Sequence, residues 1–456
     1  MAGLAAAISA LEKIDRVILL EKGHRTGGSM YLSGGTIWTL NTTDKAQKVA
    51  PRGDRDRQSI VVDSLEDDLD WLEGLGIDIE PILQESEERW GGQFDPKKTT
   101  ATLTAVIEER GGNVYRNTPM ESVHTDERGL VDEVTAAPKA DECLQIATKA
   151  VVFATGGFQG NTALVEQHIT ESTDNMWLRS NPWSTGDGYL ESLALGARVT
   201  SGMDSFYGHN MAAPPAQFTV DDFVDVTQYY GPKAIALDSN GRRFTDESAH
   251  WGEEGVAVAT AKDASGRAYY VLDNELFASY HTPERRVGAM IDHVSEHGGR
   301  TATAPTLSKL AAQVSDWKID GDAMVSTVHA FNRAMRADND QSLAIPRETH
   351  RRPIEEPPLH VVEVQPGITF TTGGVDVDED MRVIRRSRSS SNMSNSVFDE
   401  GDLTTAPLPG LYAAGVDVGG IHSGGYIGGL ATGLTTGRLA GGKAAEFAIE
   451  RSNSID

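Results

Sequence analysis

The chain has 456 residues, 39% of them hydrophobic, which excludes global disorder and allows two or three domains. Its 67 acidic and 41 basic side chains give a formal charge of −26, and the resulting repulsion of phosphate argues against nucleic acids and anionic membranes as partners. The single cysteine, Cys143, excludes an internal disulfide framework and a cysteine-rich metal site, and it fits a reducing compartment.

The first 22 residues predict a helix followed by a buried strand that ends near an acidic residue. Leu4, Ile8 and Leu11 form one apolar face at helical spacing, and the strand predicted over residues 16–22 carries Glu21 near its end. This order is typical of the second half of a dinucleotide-binding βαβ unit. Gly3 then allows close packing of helix and strand, and Glu21 lies where a carboxylate accepts hydrogen bonds from a ribose. An ordinary amphipathic helix is the alternative.

The first strand and the first two glycines of such a unit do not precede this helix. Those glycines would form the turn that brings a pyrophosphate to the helix N-terminus. We therefore interpret the sequence as truncated, and a targeting segment could be lost with the missing part. Residues 1–10 show no basic segment of a signal peptide, and no apolar run reaches the ~18 residues that span a bilayer. A cytoplasmic location is expected.

Glycine-rich loops then alternate with helices and strands. Residues 27–35 hold four glycines, which let backbone approach a flat ligand where Cβ atoms would clash; a flexible loop is the alternative. Hydrophobic periodicity predicts helices over residues 57–75 and 99–110. Short strands are predicted over residues 113–115 and 131–135.

Two further strand-to-glycine transitions follow. A buried strand over residues 150–154 leads into Thr155, Gly156 and Gly157, and residues 185–188 open another helix. Near the C-terminus, a strand over residues 411–415 ends in glycine, and Gly428 and Gly429 open the last helix. Between Met203 and Phe370 the glycine motifs cease and aromatic residues become frequent. The predicted domains are therefore residues 1–203, an inserted domain over 204–370, and residues 371–456 that complete the first.

Six segments, in order, resemble the fumarate reductase and succinate dehydrogenase flavoprotein superfamily. They cover nearly the whole chain and are residues 19–35, 152–161, 185–188, 241–247, 367–374 and 410–415. The resemblance implies an α/β fold: a Rossmann-like FAD-binding domain, here N-terminally truncated, with an inserted α+β capping domain and substrate between cap and flavin. It also implies hydride transfer between the flavin and a carbon next to a carbonyl or carboxylate, while a side chain moves a proton.

The resemblance implies FAD as the cofactor, no metal, a small carboxylate or ketone as the substrate and an electron acceptor of unknown identity. Val416 replaces a glutamate that is usual in the superfamily, and Asp417 is a possible substitute for it. The residues implied to contact FAD are Gly3, Glu21, Lys22, Gly27, Gly28, Ser29, Ser33, Gly34, Gly35, Val123, Thr155, Gly156, Gly157, Asp187, Gly415, Gly429 and Leu430.

Three departures from the superfamily weaken dicarboxylate reduction as the activity. Trp251 stands where fumarate reductases place an arginine proton donor, Thr369 replaces a histidine, and residues 423–426 lack the substrate-clamping arginine. The tricarballylate dehydrogenase branch resembles residues 367–374 best and tolerates an aromatic residue at the Trp251 position. A dehydrogenase of that kind is the leading hypothesis. A 3-ketosteroid-type dehydrogenase, a soluble fumarate-reductase-like enzyme and a flavin-binding but inert paralogue remain alternatives.

Five side chains are candidates for catalysis, each with a structural alternative. His209 can act as a base or hydrogen-bond donor, or serve as a bonded loop histidine. Tyr230, together with its neighbour Tyr229, lies near the position of a proton-relay arginine of the reductases, and packing in the core or cap is the alternative. Arg243 is a candidate that can instead anchor the cap to Glu247 or to a backbone carbonyl. His422 and Tyr426 belong to the loop before the last helix, which in the superfamily faces the flavin.

Overall fold

The computed structural model describes residues 1–82, 88–139, 142–249, 252–282, 285–386 and 406–453. This part of the chain forms twelve α-helices and nineteen β-strands. Trp251, on which the comparison of superfamily branches partly rests, lies outside the described residues. No helix within these ranges is long and apolar enough to cross a membrane.

The helices and strands are numbered separately in chain order. The helices are α1 (Ala2–Leu11), α2 (Thr43–Val49), α3 (Arg55–Gly74), α4 (Pro96–Glu109), α5 (Thr162–His168), α6 (Asp187–Ala194), α7 (Gly252–Asp263), α8 (Asn274–Ala278), α9 (Val287–Glu296), α10 (Leu307–Gln313), α11 (Gly321–Arg336) and α12 (Gly429–Asn453). The strands are β1 (Ile18–Leu20), β2 (Thr36–Leu40), β3 (Glu80–Pro81), β4 (Arg89–Gln93), β5 (Asn113–Tyr115), β6 (Met120–Thr125), β7 (Val131–Lys139), β8 (Glu142–Ala147), β9 (Val151–Phe153), β10 (Trp177–Leu178), β11 (Phe206–Ala212), β12 (Ile235–Leu237), β13 (Ala268–Leu272), β14 (Tyr280–Thr282), β15 (Arg285–Arg286), β16 (Thr301–Ala304), β17 (Leu359–Thr371), β18 (Arg382–Ile384) and β19 (Pro407–Ala413).

The chain divides into two compact units. Unit 1 comprises Met1–Leu164, Ser180–Ser205 and Phe370–Asp456, and unit 2 comprises Val165–Arg179 and Phe206–Thr369. Unit 2 thus also takes up a segment before residue 180, which the sequence analysis assigned to the first domain. This segment carries β10, which pairs in parallel with β17 through Trp177 and Leu178.

Unit 1 contains two pairs of parallel strands. β1 pairs with β5 in register from Ile18↔Asn113, and β9 pairs with β19 in register from Val151↔Leu411. Parallel strands flanked by helices are what the helix, strand and acid pattern predicts. The expectation of a buried strand over residues 16–22 is wrong in one respect, because β1 has three residues and Ile18 is 43% exposed. Within the described residues, β1 is hydrogen-bonded to β5 alone.

Helix α1 packs closely along α12, the 25-residue helix that ends unit 1. Gly433, Gly437 and Gly441 recur at every fourth position of α12 and therefore share one face. A Cβ atom on Gly437 would lie 2.8 Å from Ala2 Cα, and one on Gly441 would lie 2.6 Å from Ala6 Cα. Larger side chains would push the two backbones apart, so the glycines bring the start of α12 to the start of α1.

The predicted helices of unit 1 are confirmed, with starts set by capping residues. The side chain of Asp54 accepts a hydrogen bond from the Arg57 amide and begins α3. Asp95 accepts hydrogen bonds from the Lys97 and Lys98 amides, and Pro96 is the first residue of α4. This cap explains why α4 begins three residues before the periodic apolar pattern that predicted it.

Unit 2 is organised around one six-stranded sheet in which the 13-residue strand β17 is central. β17 pairs with β10, β11, β13 and β16, and β13 pairs with β12 at the other side. Successive residues of a strand point to opposite faces. Val362 and Tyr270 accordingly belong to one apolar cluster, whereas Val361 and Tyr269 belong to another. Both faces of the sheet are therefore buried.

Candidate active site

The carboxyl ends of parallel strands place several predicted cofactor residues in unit 1. Glu21 directly follows β1, Thr155 follows β9, and Gly415 follows β19. Helix α1 passes close to the end of β9, because a Cβ on Gly3 would lie 3.5 Å from Ala154 Cβ. In open α/β sheets, ligands bind outside the carboxyl ends of the strands. These loops are therefore where a dinucleotide is expected.

The side chains of Glu21 and Lys22 contact different partners. The Gly23 amide donates a hydrogen bond to Glu21 Oε1 at 2.6 Å, and burial raises the pKa of the Glu21 carboxyl above its usual range. Lys22 Nζ lies 2.9 Å from Asp187 Oδ2 and 2.5 Å from Thr185 Oγ1. Lys22 and Asp187, both implied as cofactor contacts, thus form an ion pair that ties the end of β1 to the start of α6.

The first glycine loop has the shape that a flat ligand requires. Gly27, Gly28 and Gly35 have φ values of +93°, +51° and +76°, a conformation that residues with a Cβ rarely adopt. A Cβ on Gly27 would lie 2.6 Å from Thr100 Oγ1, so the loop also packs tightly on α4. By contrast, no described heavy atom lies within 4 Å of a Cβ built on Gly34. This open backbone and the Glu21 carboxyl fit FAD.

The hydroxyl groups of the two serines in this loop form hydrogen bonds within the protein. Ser29 Oγ lies 2.6 Å from Ser180 Oγ and accepts a hydrogen bond from Asn181 Nδ2 at 2.8 Å. Ser33 Oγ donates to the Met30 carbonyl at 2.7 Å. Contact between either hydroxyl and the cofactor stays a prediction.

The turn after β9 encloses an internal carboxylate. Asp417, which is 1% exposed, accepts hydrogen bonds from the amides of Thr155, Gly156 and Gly157 and from Thr155 Oγ1 at 2.8 Å. Successive backbone amides of this kind form a nest for an anion. Burial raises the pKa of Asp417, although these bonds oppose the shift. The three amides therefore hold Asp417 rather than a phosphate, and Asp417 is turned into the loop instead of replacing the missing glutamate.

Three other predicted cofactor residues have internal contacts or partial burial. The Val123 amide donates to Glu191 Oε1 at 2.7 Å, and the Gly415 amide donates to Thr436 Oγ1 at 2.8 Å. Leu430 is half-buried as the second residue of α12. Their contact with FAD also stays a prediction.

An aromatic cluster lies at the start of α12 and includes both predicted residues of that loop. The ring centroid of Tyr426 is 5.3 Å from that of Trp38 and 5.5 Å from that of His422. The ring of Phe370 lies 5.3 Å from the His422 ring. The Gly429 amide, at the first residue of α12, donates a hydrogen bond to the Tyr426 hydroxyl at 3.0 Å. The structure thus brings His422, Tyr426 and Gly429 together, as the resemblance implies.

His422 is held as one neutral tautomer. Its Nδ1 accepts a hydrogen bond from the Ile427 amide at 3.3 Å, so the proton resides on Nε2, which lies 3.1 Å from Thr432 Oγ1. Burial lowers the pKa of His422 to about 3. A depressed histidine pKa means that the uncharged ring persists at every pH above that value. His422 is therefore suited to donate a hydrogen bond and not to act as a cation.

Nitrogen NMR of protein labelled at histidine is expected to show His422 neutral and protonated on Nε2 at pH 5. At that pH an ordinary histidine is mostly protonated, because its pKa is near ~6.5. The His422→Gln variant identifies the resonance by its loss. An imidazolium signal from His422 at pH 5 would contradict the burial argument.

A second polar cluster lies in unit 2 around His209. His209 is 3% exposed, and its Nε2 lies 3.0 Å from the Tyr207 hydroxyl. Its Nδ1 lies 3.2 Å from Glu253 Oε1, although these two atoms do not form a hydrogen bond. Burial, and then the positive charge of Arg179, lowers the pKa of His209 well below 6.5 despite the nearby carboxylate. His209 is thus neutral and faces a phenol.

Arg179, which the sequence did not indicate, and Tyr229 also belong to this cluster. Arg179 donates hydrogen bonds to Thr369 Oγ1 at 3.1 Å and to the Tyr229 hydroxyl at 3.3 Å. The Tyr229 ring stacks on His281 at 5.3 Å and lies 5.0 Å from the His209 ring. Thr369 replaces a histidine of the superfamily. Arg179, which directly follows β10, therefore places a positive charge beside that position.

The structure places Tyr230 in the apolar core instead of the His209 cluster. Tyr230 is 1% exposed, and its ring meets the Tyr270 ring edge to face at a centroid distance of 5.9 Å. Burial raises the pKa of its phenol well above 10, so it cannot readily release a proton. The catalytic prediction for Tyr230 is therefore corrected to the core-packing alternative, and its neighbour Tyr229 occupies the polar cluster.

Arg243 also has the structural role that was its alternative, that of an anchor to Glu247 and to a backbone carbonyl. Its guanidinium pairs with Glu247, with Nη2 2.6 Å from Oε2, and donates to the Ile345 carbonyl at 2.6 Å. A second arginine, Arg347, pairs with the same carboxylate at 3.0 Å. Both partners predicted for Arg243, Glu247 and a backbone carbonyl, are confirmed. All described hydrogen bonds of its guanidinium are made to Glu247 or to backbone carbonyls.

Comparisons with known proteins agree with this geometry. Residues 1–430 match the FAD binding domain family. A cytochrome-type fumarate reductase of Shewanella frigidimarina is 25% identical, over 98% of this chain and 76% of its own. The open form of a flavocytochrome c3 fumarate reductase superposes with a TM-score of 0.70 at 22% identity, covering 98% of this chain and 77% of that one. The 3-ketosteroid Δ1-dehydrogenase of Sterolibacterium denitrificans gives 0.73 at 17% identity, covering 98% of both.

Proposed function

The chain belongs to the FAD binding domain family and is an FAD-dependent oxidoreductase, and from this premise we propose that it transfers hydride between FAD and a carbon–carbon bond next to an uncharged ketone. The observation that carries the proposal is the hydrogen bond from the Gly429 amide to the Tyr426 hydroxyl. Both groups belong to unit 1, at the N-terminus of its longest helix.

Tyr426 is oriented as a donor by this bond. A hydroxyl that accepts from an amide carries its own proton on another side of the oxygen, where a carbonyl oxygen can accept it. The amide belongs to the first turn of α12, whose N-terminal end has a partial positive charge. Both effects make the phenol a better hydrogen-bond donor. Charge that develops on a ketone oxygen during proton loss from the neighbouring carbon would be stabilised in the same way.

The loop before α12 offers neutral donors only. Residues 418–430 contain neither arginine nor lysine, and His422 stays uncharged because of its burial. A dicarboxylate is normally bound by charge-assisted, often bidentate, arginine contacts. A ketone needs one or two neutral donors, which Tyr426 and the backbone supply. This contrast favours the ketone over the tricarballylate hypothesis for this loop, because Arg57, which donates to the Gly419 carbonyl, is already paired with Asp376.

A carboxylate substrate is the second candidate, and one observation in unit 2 favours it. Arg179 brings a positive charge to the cluster of His209, Tyr207 and Tyr229. A guanidinium is the side chain best matched to a carboxylate. Bound FAD would supply the redox chemistry in either case. The residues of the chain would then orient the substrate and move a proton, for which neutral His209 beside the Tyr207 phenol is suited.

Anaerobic incubation of the FAD-loaded protein with candidate donors separates these functions. A 3-ketosteroid and a small cyclic ketone are expected to bleach the oxidised flavin, whereas tricarballylate and succinate leave it oxidised. Bleaching by tricarballylate alone would overturn the ketone proposal in favour of the carboxylate. If chemically reduced protein is instead reoxidised by fumarate, reductase activity is favoured. Flavin that responds to none of these compounds would support the inert paralogue.

A further inference from the structure

A phenol, an imidazole and a carboxylate adjoin one another within unit 2. The Nε2 atom of His209 lies 3.0 Å from the Tyr207 hydroxyl, and its Nδ1 atom lies 3.2 Å from Glu253 Oε1 on the other side of the ring. Tyr207 and His209 are two residues apart in β11, so their side chains share one face of that strand. Glu253 belongs to the first turn of α7. We call these three residues the Tyr207 triad.

The members of the triad differ in accessibility. His209 is 3% exposed and its Nδ1 atom is fully buried, whereas its Nε2 atom faces the hydroxyl of Tyr207. Tyr207 is only half-buried. A substrate that reaches the triad would therefore meet the phenol before the imidazole. This order makes the Tyr207 oxygen the reactive atom and His209 the group behind it.

The carboxylate of Glu253 selects one tautomer of His209. Burial, and then the charge of Arg179, keeps the pKa of His209 well below 6.5, so the ring is neutral and carries one proton. A lone pair on Nδ1 would be repelled by the Glu253 carboxylate at 3.2 Å, whereas a proton on Nδ1 is attracted to it. The proton therefore resides on Nδ1, and Nε2 accepts a hydrogen bond from the Tyr207 hydroxyl.

The contact between His209 and Glu253 is close but misaligned, so Nδ1 has no hydrogen-bond partner among the residues that the structure describes. Hydrogen bonds of catalytic groups are often misaligned before substrate binds, and they tighten in the complex. An unpaired buried donor also costs free energy, which favours alignment. The Glu253 side chain, 18% exposed, needs no change of distance to complete the bond.

The phenol of Tyr207 is polarised in the opposite sense to that of Tyr426. Tyr426 accepts a hydrogen bond from the Gly429 amide, so its proton is available to a carbonyl oxygen. Tyr207 donates its proton to His209, so the lone pairs of its oxygen are available to accept a proton from a substrate. Loss of a proton from the carbon next to a ketone requires both kinds of group, a donor to the oxygen and an acceptor for the proton.

We propose that Tyr207 takes the proton from the substrate carbon next to the carbonyl, while His209 receives the proton of Tyr207. The inference rests on the proposed function, of which it is the proton transfer. The C–H proton moves to the Tyr207 oxygen as the phenol proton moves to His209 Nε2. The electron pair of that C–H bond becomes the second bond between the two carbons, as hydride leaves the other carbon for bound FAD.

Glu253 is the positioning residue of this step. Its carboxylate holds the Nδ1 proton of His209 and stabilises the imidazolium that forms when Nε2 is protonated. Arg179 and His281 disfavour positive charge on His209, so the carboxylate offsets their effect. After the product leaves, His209 returns the Nε2 proton to Tyr207, whose own proton passes to water.

Anaerobic stopped-flow reduction of the flavin, with the donor that bleaches it fastest, measures this step. Tyr207→Phe keeps the ring contact with His209, at a centroid distance of 5.0 Å, and removes the hydroxyl. It is expected to slow reduction by about 10²-fold, the lower end of the range for general acid–base catalysis. Glu253→Gln is expected to slow reduction about 10–100-fold, the range for a lost hydrogen bond to a charged group. An unchanged rate in Tyr207→Phe would overturn the inference.

Glu254→Gln is the matched control, because Glu254 is the next residue in the first turn of α7 and its substitution changes the charge by the same amount. It should leave the rate unchanged. The double variant Tyr207→Phe/Glu253→Gln should be about as slow as Tyr207→Phe alone, because Glu253 acts through the proton that Tyr207 passes to His209. Effects that multiply in the double variant, or equal effects of Glu253→Gln and Glu254→Gln, would contradict the inference.

Nitrogen NMR of protein labelled at histidine tests the triad without turnover. His209 is expected to be neutral at pH 7 with its proton on Nδ1, the opposite tautomer to that of His422. The His209→Gln variant identifies the resonance by its loss. A proton on Nε2 of His209 would sink the inference. If no donor bleaches the flavin, the proposed function fails, whereas the tautomer of His209 still tests the triad.

Discussion

Tyr426→Phe is expected to lower the rate of substrate-dependent flavin reduction by about 10²–10³-fold, the loss seen when one donor to a developing oxyanion is removed. The phenol accepts a hydrogen bond from the Gly429 amide at 3.0 Å and directs its own proton elsewhere. Phenylalanine keeps the ring contacts with Trp38 and His422. The flavin content and the folding of the variant should therefore be unchanged. Anaerobic stopped-flow measurement with the best ketone donor gives the rate.

Tyr412→Phe serves as a control in the same unit. The Tyr412 hydroxyl donates to the Lys443 carbonyl at 3.3 Å on the side of β19 that packs under α12. Its loss should leave the rate of flavin reduction within about twofold, as expected for a residue remote from the chemistry. An unchanged rate in Tyr426→Phe would remove the phenol from the mechanism. Loss of bound FAD in that variant would instead assign Tyr426 to cofactor binding.

Local patterns in the sequence predicted the long helices and the parallel strands of unit 1, but not its antiparallel sheet of β2, β3 and β4. Helix α3 follows from its apolar spacing, and β5 matches its predicted residues, 113–115, at both ends. The start of α6 follows from the turn at residues 185–188, in which Gly186 has a φ of +87° as the N-cap. Each of these features depends on residues close together in the chain, so one sequence is sufficient to predict them.

The membership of the His209 cluster could not be predicted in this way. Tyr229 and Tyr230 are neighbours of the same type, yet one stacks on His281 and the other packs on Tyr270. Their different positions depend on distant parts of unit 2. Arg179 reaches Thr369 because β10 pairs with β17 across a long stretch of sequence. No local periodicity reports such a contact.

The orientation of the buried Asp417 side chain could not be predicted from the sequence either. Asp417 lies one residue after the position of the missing glutamate, which made a cofactor contact reasonable. In the structure its carboxylate satisfies the amides of Thr155, Gly156 and Gly157. The consecutive left-handed glycines of that turn create a set of donors that needs an anion. The internal acid meets this need, and the sequence pattern alone does not distinguish it from a phosphate.

The largest effect on stability is expected from Glu247, the buried acid between two arginines of unit 2. Glu247 is 0% exposed, and its Oε2 lies 2.6 Å from Arg243 Nη2 and 3.0 Å from Arg347 Nη1. Its Oε1 accepts a hydrogen bond from the Ala236 amide of β12 at 2.9 Å. Arg347 is itself 1% exposed, so removal of the acid leaves a buried charge without compensation.

Glu247→Ala is therefore expected to lower the free energy of unfolding of unit 2 by about 3–5 kcal/mol, the range for breaking a buried ion pair on one side. Hydrogen exchange of the peptides that contain β12 and β13 measures this loss within unit 2, which matters because a protein of two units need not unfold in one step. Unit 1 peptides, including those of β9 and β19, serve as the internal reference.

Glu296→Ala is the matched surface control, because the Glu296 side chain is 63% exposed and pairs only with the exposed His293 at 2.9 Å among its described contacts. Exposed pairs contribute about 0–1 kcal/mol, since water competes for both charges. If Glu247→Ala lowers the free energy of unfolding no more than Glu296→Ala does, the two arginines must have other acceptors. Their burial would then not depend on the Glu247 carboxylate. In that case the Ile345 carbonyl, to which Arg243 already donates a hydrogen bond, would be the contact that anchors this guanidinium.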